Sequence, residues 1–177
     1  MKVYTTDPPT PKRIKVGVAE YAVAEGESTL VTSGLGSCVG IALVDTDAGV
    51  AGLAHAMLPS AEDRETAETA ADGGEDRPAG KYVDTAVSGL LDAMADRGAD
   101  PSRIEARFAG GSAMFEFSST DGGVGDRNVA AAEAALRERN IPVVATDVGG
   151  DYGRSLTRAA ATGSLSVRRA HGDTRVI

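Results

Sequence analysis

Residues 32–59, TSGLGSCVGIALVDTDAGVAGLAHAMLP, place two reactive side chains within one short unit of the sequence. The stretch holds the only cysteine of the chain, Cys38, and one of its two histidines, His55. A glycine-rich bend, residues 34–37, comes directly before the cysteine and can adopt backbone conformations that are closed to residues with a Cβ atom. Whether the cysteine and the histidine can meet depends on how the rest of the stretch folds.

The same stretch predicts a β-hairpin. Residues 39–44 are apolar and partly β-branched, which is typical of a buried strand. Residues 45–49, DTDAG, have the composition of a turn, and residues 50–58 form a second apolar run. Two strands joined by so short a segment are expected to pair with each other.

The register of this hairpin determines which side chains share a face. If residues 45–48 form the loop, Val44 pairs with Gly49 and Cys38 lies directly opposite His55. Directly opposed residues have Cβ atoms about 5 Å apart, whereas a slip of one residue would turn the two side chains to opposite faces. We therefore expect a cysteine–histidine pair, on the condition that this register forms.

Length and cysteine content restrict the class of protein. A chain of 177 residues suits one domain, and a single cysteine excludes an internal disulfide and a CxxC redox pair. The start of the chain is polar and proline-rich, unlike a signal peptide, and the apolar runs are shorter than the roughly 20 residues that span a bilayer. These features predict a soluble, cytoplasmic protein without direct membrane insertion.

The charge balance is acidic, with 26 Asp and Glu against 18 Lys and Arg. Binding to nucleic-acid backbones generally needs a basic face, so the composition argues against nucleic acid as a partner. A surface rich in carboxylates and poor in lysine favours a salt-rich cytoplasm, where repulsion between carboxylates is screened. The alternative is a GC-rich genome that favours Ala, Arg, Asp and Gly.

The chain is expected to form one domain, residues 14–169, between flexible tails at residues 1–13 and 170–177. Residues 60–80 interrupt the domain with seven acidic and two basic side chains and without a large apolar one. Such a segment can bury little surface, so we expect a surface loop. It is either a flap over the site or a solvated insertion.

Two helices are expected among more numerous strands. Residues 81–97 carry an apolar stripe with the 3.6-residue period of a helix (Val83, Val87, Leu90, Leu91 and Met94). A second helix is expected at residues 126–139, with Asp126 as its N-cap. Because the strands outnumber the helices and are often joined by short turns, the pattern favours a mixed α/β fold over a parallel doubly wound sheet.

A cysteine, a histidine and a glycine bend are the parts needed for acyl transfer. A thiolate is a strong nucleophile, and an adjacent imidazole lowers the thiol pKa and moves protons. The amides of the bend could stabilise an oxyanion, and the hydroxyl of Thr32 or Ser37 could orient the imidazole. The alternative is that Cys38 is a small buried hydrophobe and His55 a core residue.

Other types of site find less support in the sequence. The Gly34-x-Gly36 pattern lacks the third glycine and the following helix of a dinucleotide-binding fingerprint. With His171 placed in the expected tail, a zinc site is not expected.

Several blocks of the sequence resemble one known family. TSGLGSCVGIALVD followed by AGLAHAMLP is similar to the signature of the chemoreceptor glutamine deamidases, the CheD family. Further blocks occur in the family order: IKVGVAEYAV, GKYVDTAV, EARFAGGSAMF, VGDRNVAAAEAALRERNIPVVATDVGG and GRSLTRAAATGSLSVRR. The resemblance covers residues 14–169 and leaves out the tails and the acidic segment.

The resemblance implies a function for three residues. The cysteine of the GLGSC block corresponds to Cys38, the nucleophile, and the histidine of the AHxMLP block to His55, the general base and acid. The threonine before the GLGSC block corresponds to Thr32, which would orient His55. Ser33 departs from the larger apolar residue that is frequent in the family, a change expected to affect packing rather than chemistry.

The implied reaction is hydrolysis of a glutamine side-chain amide in a methyl-accepting chemotaxis receptor, without a metal or organic cofactor. The implied partners are the cytoplasmic helices of that receptor and a CheC-type phosphatase, and the chain is expected to be a monomer. The family fold is an α/β sandwich of mixed β-sheets with helices packed outside. Three further segments are expected to serve turns, caps and packing (Gly110-Gly111, Arg127-Asn128 and residues 147–150).

Two hypotheses of different class follow. In the first, the protein is a cysteine hydrolase that deamidates receptor glutamines. In the second, it is a non-catalytic binding module that regulates a CheC-type phosphatase and retains Cys38 for packing. The reactivity of the Cys38 thiol towards iodoacetamide in the native state separates the two.

Overall fold

Two mixed β-sheets and two helices make up the fold of the described residues, 11–62, 78–114 and 122–177 of a computed structural model. The strands are β1 (Arg13–Lys15), β2 (Tyr21–Glu25), β3 (Thr29–Leu35), β4 (Val39–Asp45), β5 (Val50–Ala56), β6 (Glu105–Gly110), β7 (Val143–Val148), β8 (Arg154–Ala159), β9 (Leu165–Arg169) and β10 (Thr174–Val176). Helix α1 spans Val83–Ala95, and helix α2 spans Val124–Glu138. The expected α+β class, with mixed sheets and outer helices, is confirmed.

The fold is built in layers. The first sheet has the order β1–β3–β8–β9–β10 and the second sheet has the order β2–β5–β4–β6–β7. One core cluster lies between the two sheets, and the other lies between the second sheet and both helices. Strands β4 and β5 are therefore buried on both faces, which explains why their sequences are continuously apolar rather than alternating.

Both helices lie near their expected positions. The stripe of α1 packs on the second sheet, with Val83, Val87, Leu90 and Met94 buried and Leu91 partly buried. Helix α2 begins two residues before the expected start, and its N-cap is Gly123, so the expectation of Asp126 as the cap is wrong. Asp126 instead lies in the first turn, where a carboxylate favours the positive end of the helix dipole.

The hairpin forms, but its register differs by two residues from the expected one. Asp45 pairs with Val50, so the loop is residues 46–49, and Gly40 rather than Cys38 lies opposite His55. A shift of two residues leaves every side chain on its original face, because the side-chain period of a strand is two. Cys38 and His55 thus remain on the same face as diagonal neighbours.

Asp45 explains the difference in register. Its sequence context indicates a turn residue, but its side chain is fully buried and its Oδ1 accepts hydrogen bonds from the amides of Asp47 and Ala48. Its Oδ2 accepts from the amide of Asp100 and from Arg103 Nη2, both at 2.8 Å. These partners lie far away in the sequence and allow a charged residue to close the strand.

Replacing Asp45 with asparagine is expected to lower the free energy of unfolding by about 2 kcal/mol, because hydrogen bonds to a buried carboxylate are weakened. Burial of Asp45 raises its pKa, but hydrogen bonds from Arg103 and the amides of Asp100 and Ala48 outweigh burial and lower the pKa to about 2. This contribution is present above pH 3.8 and is lost as the pH falls towards 2.

Urea denaturation at pH 7 measures the decrease in the free energy of unfolding that the replacement of Asp45 with asparagine causes. The same change at the exposed Asp47 should have little effect, and equal effects would contradict the assignment.

The C-terminal segment is not a tail throughout. Residues 170–177 were expected to be frayed, but Thr174–Val176 form β10 and pair antiparallel with β9. His171, in the turn between these strands, has a left-handed backbone with φ of 61°. A three-residue strand among polar residues carries no periodic signal, which explains why the pattern missed it. The acidic segment, residues 60–80, lies mostly outside the described residues.

Candidate active site

Cys38 and His55 face the space between the two sheets. His55 is fully buried, and it lies on the same face of β5 as Leu53, which belongs to the cluster between the sheets. Cys38 directly precedes β4 and is partly buried against the same cluster. Diagonal neighbours on paired strands are about 7–8 Å apart, closer at the Cβ atoms, so a substrate carbonyl group could lie within reach of both side chains.

Thr32 connects the histidine to the first sheet. It lies on β3 with its side chain turned inward, and its Oγ1 is 2.8 Å from His55 Nδ1. The same hydroxyl donates to the carbonyl oxygen of Val16 at 2.8 Å. The sequence left Thr32 and Ser37 as candidate hydroxyls, and the structure brings Thr32 to the imidazole.

These two hydrogen bonds define the tautomer of His55. A carbonyl oxygen only accepts, so the single proton of the Thr32 hydroxyl points towards Val16. The hydroxyl oxygen must then accept a hydrogen bond from His55 Nδ1–H, so the single proton of the neutral imidazole is on Nδ1 and Nε2 carries none. Nε2 is buried and has no hydrogen-bond partner among the described residues. The neutral imidazole therefore presents a free acceptor in the space that it shares with Cys38.

Residues 16–20, between β1 and β2, bridge the two sheets at this site. Val16 accepts the Thr32 hydroxyl, while the amide of Ala19 donates to the carbonyl oxygen of His55 and the amide of His55 donates to Glu20. Ala19 has φ of 64°, a left-handed conformation that is rare for residues with a Cβ atom. The bridge fixes the backbone of His55 and the hydroxyl that orients its ring.

Gly110 and Gly111 allow close packing around the cysteine. The amide of Gly111 donates to the carbonyl oxygen of Cys38 at 2.8 Å. A Cβ atom on Gly110 would lie 2.2 Å from that oxygen, and φ at Gly110 is 115°. A side chain at this position would therefore displace the backbone of Cys38.

Asn128 is a positioning residue that the sequence did not single out for the site. It is fully buried on α2, and its Nδ2 donates to the carbonyl oxygens of Ser37 at 2.9 Å and Met57 at 2.8 Å. Ser37 precedes Cys38 and Met57 follows His55 by two residues, so one amide joins the two chain segments of the site. Its sequence signal is weak: a polar residue inside an amphipathic helix usually faces solvent.

Burial keeps both reactive groups neutral. It raises the pKa of the Cys38 thiol, with a smaller opposing contribution from the Cys38 amide. It also lowers the pKa of His55 below the ordinary 6.5. The expectation that the imidazole would lower the thiol pKa is therefore wrong for the free site, because desolvation dominates. The arrangement suits a thiol that loses its proton to Nε2 as it attacks.

Within residues 11–62, 78–114 and 122–177, no group of three His, Cys, Asp or Glu side chains is arranged to hold a metal ion. No helix in the same ranges is long and apolar enough to cross a membrane.

The chain is similar to proteins of known family along nearly its whole length. A family model described as CheD chemotactic sensory transduction matches residues 57–169. Relatives with the name probable chemoreceptor glutamine deamidase CheD come from Haloarcula marismortui, with 47% identity over 98% of both chains, and Natronomonas pharaonis, with 44% identity over 93% of this chain and 92% of the relative. The chemoreceptor glutamine deamidase CheD of Thermotoga maritima is 40% identical over 89% of this chain and 92% of its own.

The matches extend over both the hairpin and the rest of the fold. The family model begins after His55, but the relatives also cover the segment that holds Cys38 and Thr32, as the 98% coverage requires. The resemblance seen in the sequence blocks is thereby confirmed. On the strength of the family model and of these relatives, the chain belongs to the CheD family.

Proposed function

We propose that this protein deamidates glutamine side chains of chemoreceptors, with Cys38 as nucleophile, His55 as general base and acid, and Thr32 as the group that orients His55. The observation that carries the proposal is the free, buried Nε2 of His55 on the face that it shares with Cys38. Membership of the family and the names of the relatives support the choice of substrate.

The reaction follows from the protonation states. The Cys38 thiol transfers its proton to Nε2 while the sulfur attacks the glutamine carboxamide carbon, which gives a tetrahedral oxyanion. The His55 imidazolium then protonates the leaving nitrogen, ammonia departs, and a thioester remains. Water attacks the thioester and gives a proton to His55, which returns it to the sulfur as glutamate is released. Throughout, Thr32 Oγ1 accepts a hydrogen bond from Nδ1–H of His55 and stabilises the imidazolium.

The bend before Cys38 supplies candidate donors for the oxyanion. The amide of Gly36 already donates to the carbonyl oxygen of Gly34. We assign the role to the next two amides along the chain, those of Ser37 and Cys38. Backbone amides that the folded bend already holds in place need no reorganisation as negative charge develops on the substrate oxygen.

The direct test is incubation of the protein with a chemoreceptor cytoplasmic fragment, followed by mass spectrometry of its peptides. Conversion of defined glutamines to glutamate is the expected result. A fragment whose glutamines all remain intact, under conditions where the protein is folded, would contradict the proposal.

Asn128 offers a test of the positioning of the site. Replacing it with alanine removes both hydrogen bonds to Ser37 and Met57, and misplacement of a reacting group by about 1 Å can cost roughly 100-fold in rate. We expect kcat for deamidation to fall by about that factor with little change in KM. The exposed neighbour Arg127 on the same helix turn serves as the matched alanine control. Equal kcat values for the Asn128 variant and the wild type would remove Asn128 from the site.

We propose that a CheC-type phosphatase is a second partner, that the chain acts as a monomer in the cytoplasm, and that its single domain, predicted over residues 14–169, also includes β10. Size-exclusion chromatography with and without a CheC-type protein tests the assembly.

A further inference from the structure

The outer face of the first sheet carries a groove that neither α1 nor α2 covers, since both helices pack on the second sheet. The groove has a volume of about 420 Å³ and crosses the strands from β1 to β9. We call it the basic groove and define it by Arg13, Lys15, Ser155, Thr157, Ser166 and Arg168.

Strand alternation explains its composition. Residues of β8 alternate between buried positions, such as Leu156, and half-buried outward positions, Ser155 and Thr157. Ser155 pairs with Arg168 and Thr157 with Ser166, so these small hydroxyl side chains form a floor beside long cationic ones. Val31 and Leu156 also line the groove, so its floor is partly apolar, and the charged side chains that line it are all cations.

The charge of the groove is opposite to that of the chain. The protein carries a formal net charge of −8, yet no residue that lines the groove is a carboxylate. Arg13, Lys15 and Arg168 are exposed, and none of the three forms an ion pair with another described residue. Three cations without an ion-pair partner among the described residues, on one face of an acidic protein, create a local positive potential that attracts an anionic partner.

A second cavity adjoins the groove and reaches the glycine-rich bend before Cys38. It has a volume of about 500 Å³, shares Ser155 and Arg168 with the groove, and reaches Gly34 and Arg169. Arg169 is paired there with Asp147, at 2.8 Å, so the unpaired charge remains with the cations of the groove itself.

The groove and the nucleophile are close along the chain. Ser33 lines the groove and Gly34 lines the adjoining cavity, five and four residues before Cys38. Five residues span at most about 18 Å, whereas a 20-residue helix is about 30 Å long. One polypeptide segment can therefore occupy the groove while a neighbouring part of the same molecule presents a glutamine to Cys38.

We propose that the basic groove binds an acidic polypeptide segment of the receptor that is deamidated, at a distance from the glutamine itself. This proposal rests on the proposed function and adds the site that selects the substrate. Charge complementarity between the exposed cations of the groove and an acidic segment carries the choice of partner.

The test compares two double charge reversals in the full chain. The groove variant is Lys15→Glu with Arg168→Glu, and the control is Arg97→Glu with Arg137→Glu, exposed residues on the side of the helices with the same change in net charge. We expect kcat/KM towards a receptor fragment to fall about 10-fold in the groove variant, mostly through KM, because charges at the edge of an interface act on association. The control should stay near wild type. Alkylation of Cys38 by iodoacetamide does not require docking of a polypeptide, so its rate should be the same in the groove variant and in the control.

Binding of a fluorescent polyglutamate peptide to the same proteins, measured by anisotropy, separates this proposal from the proposed function. Loss of polyglutamate binding in the groove variant alone supports the groove, even if the wild-type chain failed to deamidate a receptor. A groove variant with wild-type kcat/KM and wild-type polyglutamate binding would overturn the proposal. A single-stranded DNA oligomer that binds the groove more tightly than polyglutamate would overturn it in favour of nucleic acid.

Discussion

Replacement of Cys38 with alanine is expected to abolish the conversion of receptor glutamine to glutamate, with a loss in kcat of at least about 10⁴-fold. The thiol is the nucleophile of the proposed reaction, and no other cysteine exists in the chain to replace it. Mass spectrometry of a receptor fragment after incubation with the wild type and the variant measures the loss. Alanine fills most of the space of a partly buried cysteine, so the fold should be retained.

The control for this variant is Ser37→Ala, one residue away. It should keep activity, because the contribution of Ser37 to the site is through its backbone, with its carbonyl oxygen held by Asn128. Thermal unfolding of both variants shows that the fold is intact. Deamidation by the Cys38 variant at the wild-type rate would contradict the assignment of Cys38 as the nucleophile.

The hairpin shows how much of the site could be predicted from the sequence. Two apolar runs with a turn between them were enough to predict the two strands and to place Cys38 and His55 on the same face of the sheet. The register was wrong, because the carboxylate of Asp45 is satisfied by Asp100 and Arg103, which lie more than 50 residues further along the chain. Local patterns carry no information about such partners.

The support around the site was equally invisible to local patterns. Asn128 acts from a helix more than 70 residues beyond His55, and its hydrogen bonds go to main-chain oxygens that any residue could supply. The link from Thr32 to Val16 also joins segments that are separate in sequence. The sequence supplied the reactive groups, whereas the restraints on them arise only when the two sheets and α2 pack together.

The neutral state of the cysteine–histidine pair has a consequence for the pH dependence of the reaction. Because burial lowers the pKa of His55, the base stays neutral to a pH below the ordinary 6.5, and the fall of kcat/KM in acid should have its midpoint there. Because burial raises the pKa of Cys38, the thiol stays protonated up to a pH above the ordinary 9.0. The rate should therefore be level across neutral pH. A rate that rose steadily up to pH 9 would indicate attack by a thiolate that forms beforehand.

The same shift links His55 to stability. A histidine with a lowered pKa in the folded state stabilises the fold at a pH above its unfolded pKa of about 6.5, and this contribution is lost as the pH falls through the folded pKa. Acid must charge an imidazole that lies fully buried between the sheets. The rate of deamidation and the stability of the fold should therefore decline over the same acidic pH range.

Replacement of His55 with asparagine is expected to lower kcat by about 10³-fold, because the amide can donate to Thr32 Oγ1 but cannot take up the thiol proton. The acid limb of the pH profile should disappear in the residual activity, and stability should vary less between pH 7.5 and 5.5 than in the wild type. Deamidation kinetics and urea denaturation across this range measure both effects.

Thr32→Val is the matched variant, since it keeps the imidazole but removes the hydrogen-bond acceptor of its Nδ1–H group. It should lose less activity than the asparagine variant and keep the acid limb. If the His55 variant kept both its rate and its acid limb, the proton would pass through another group and the role of Nε2 would be wrong.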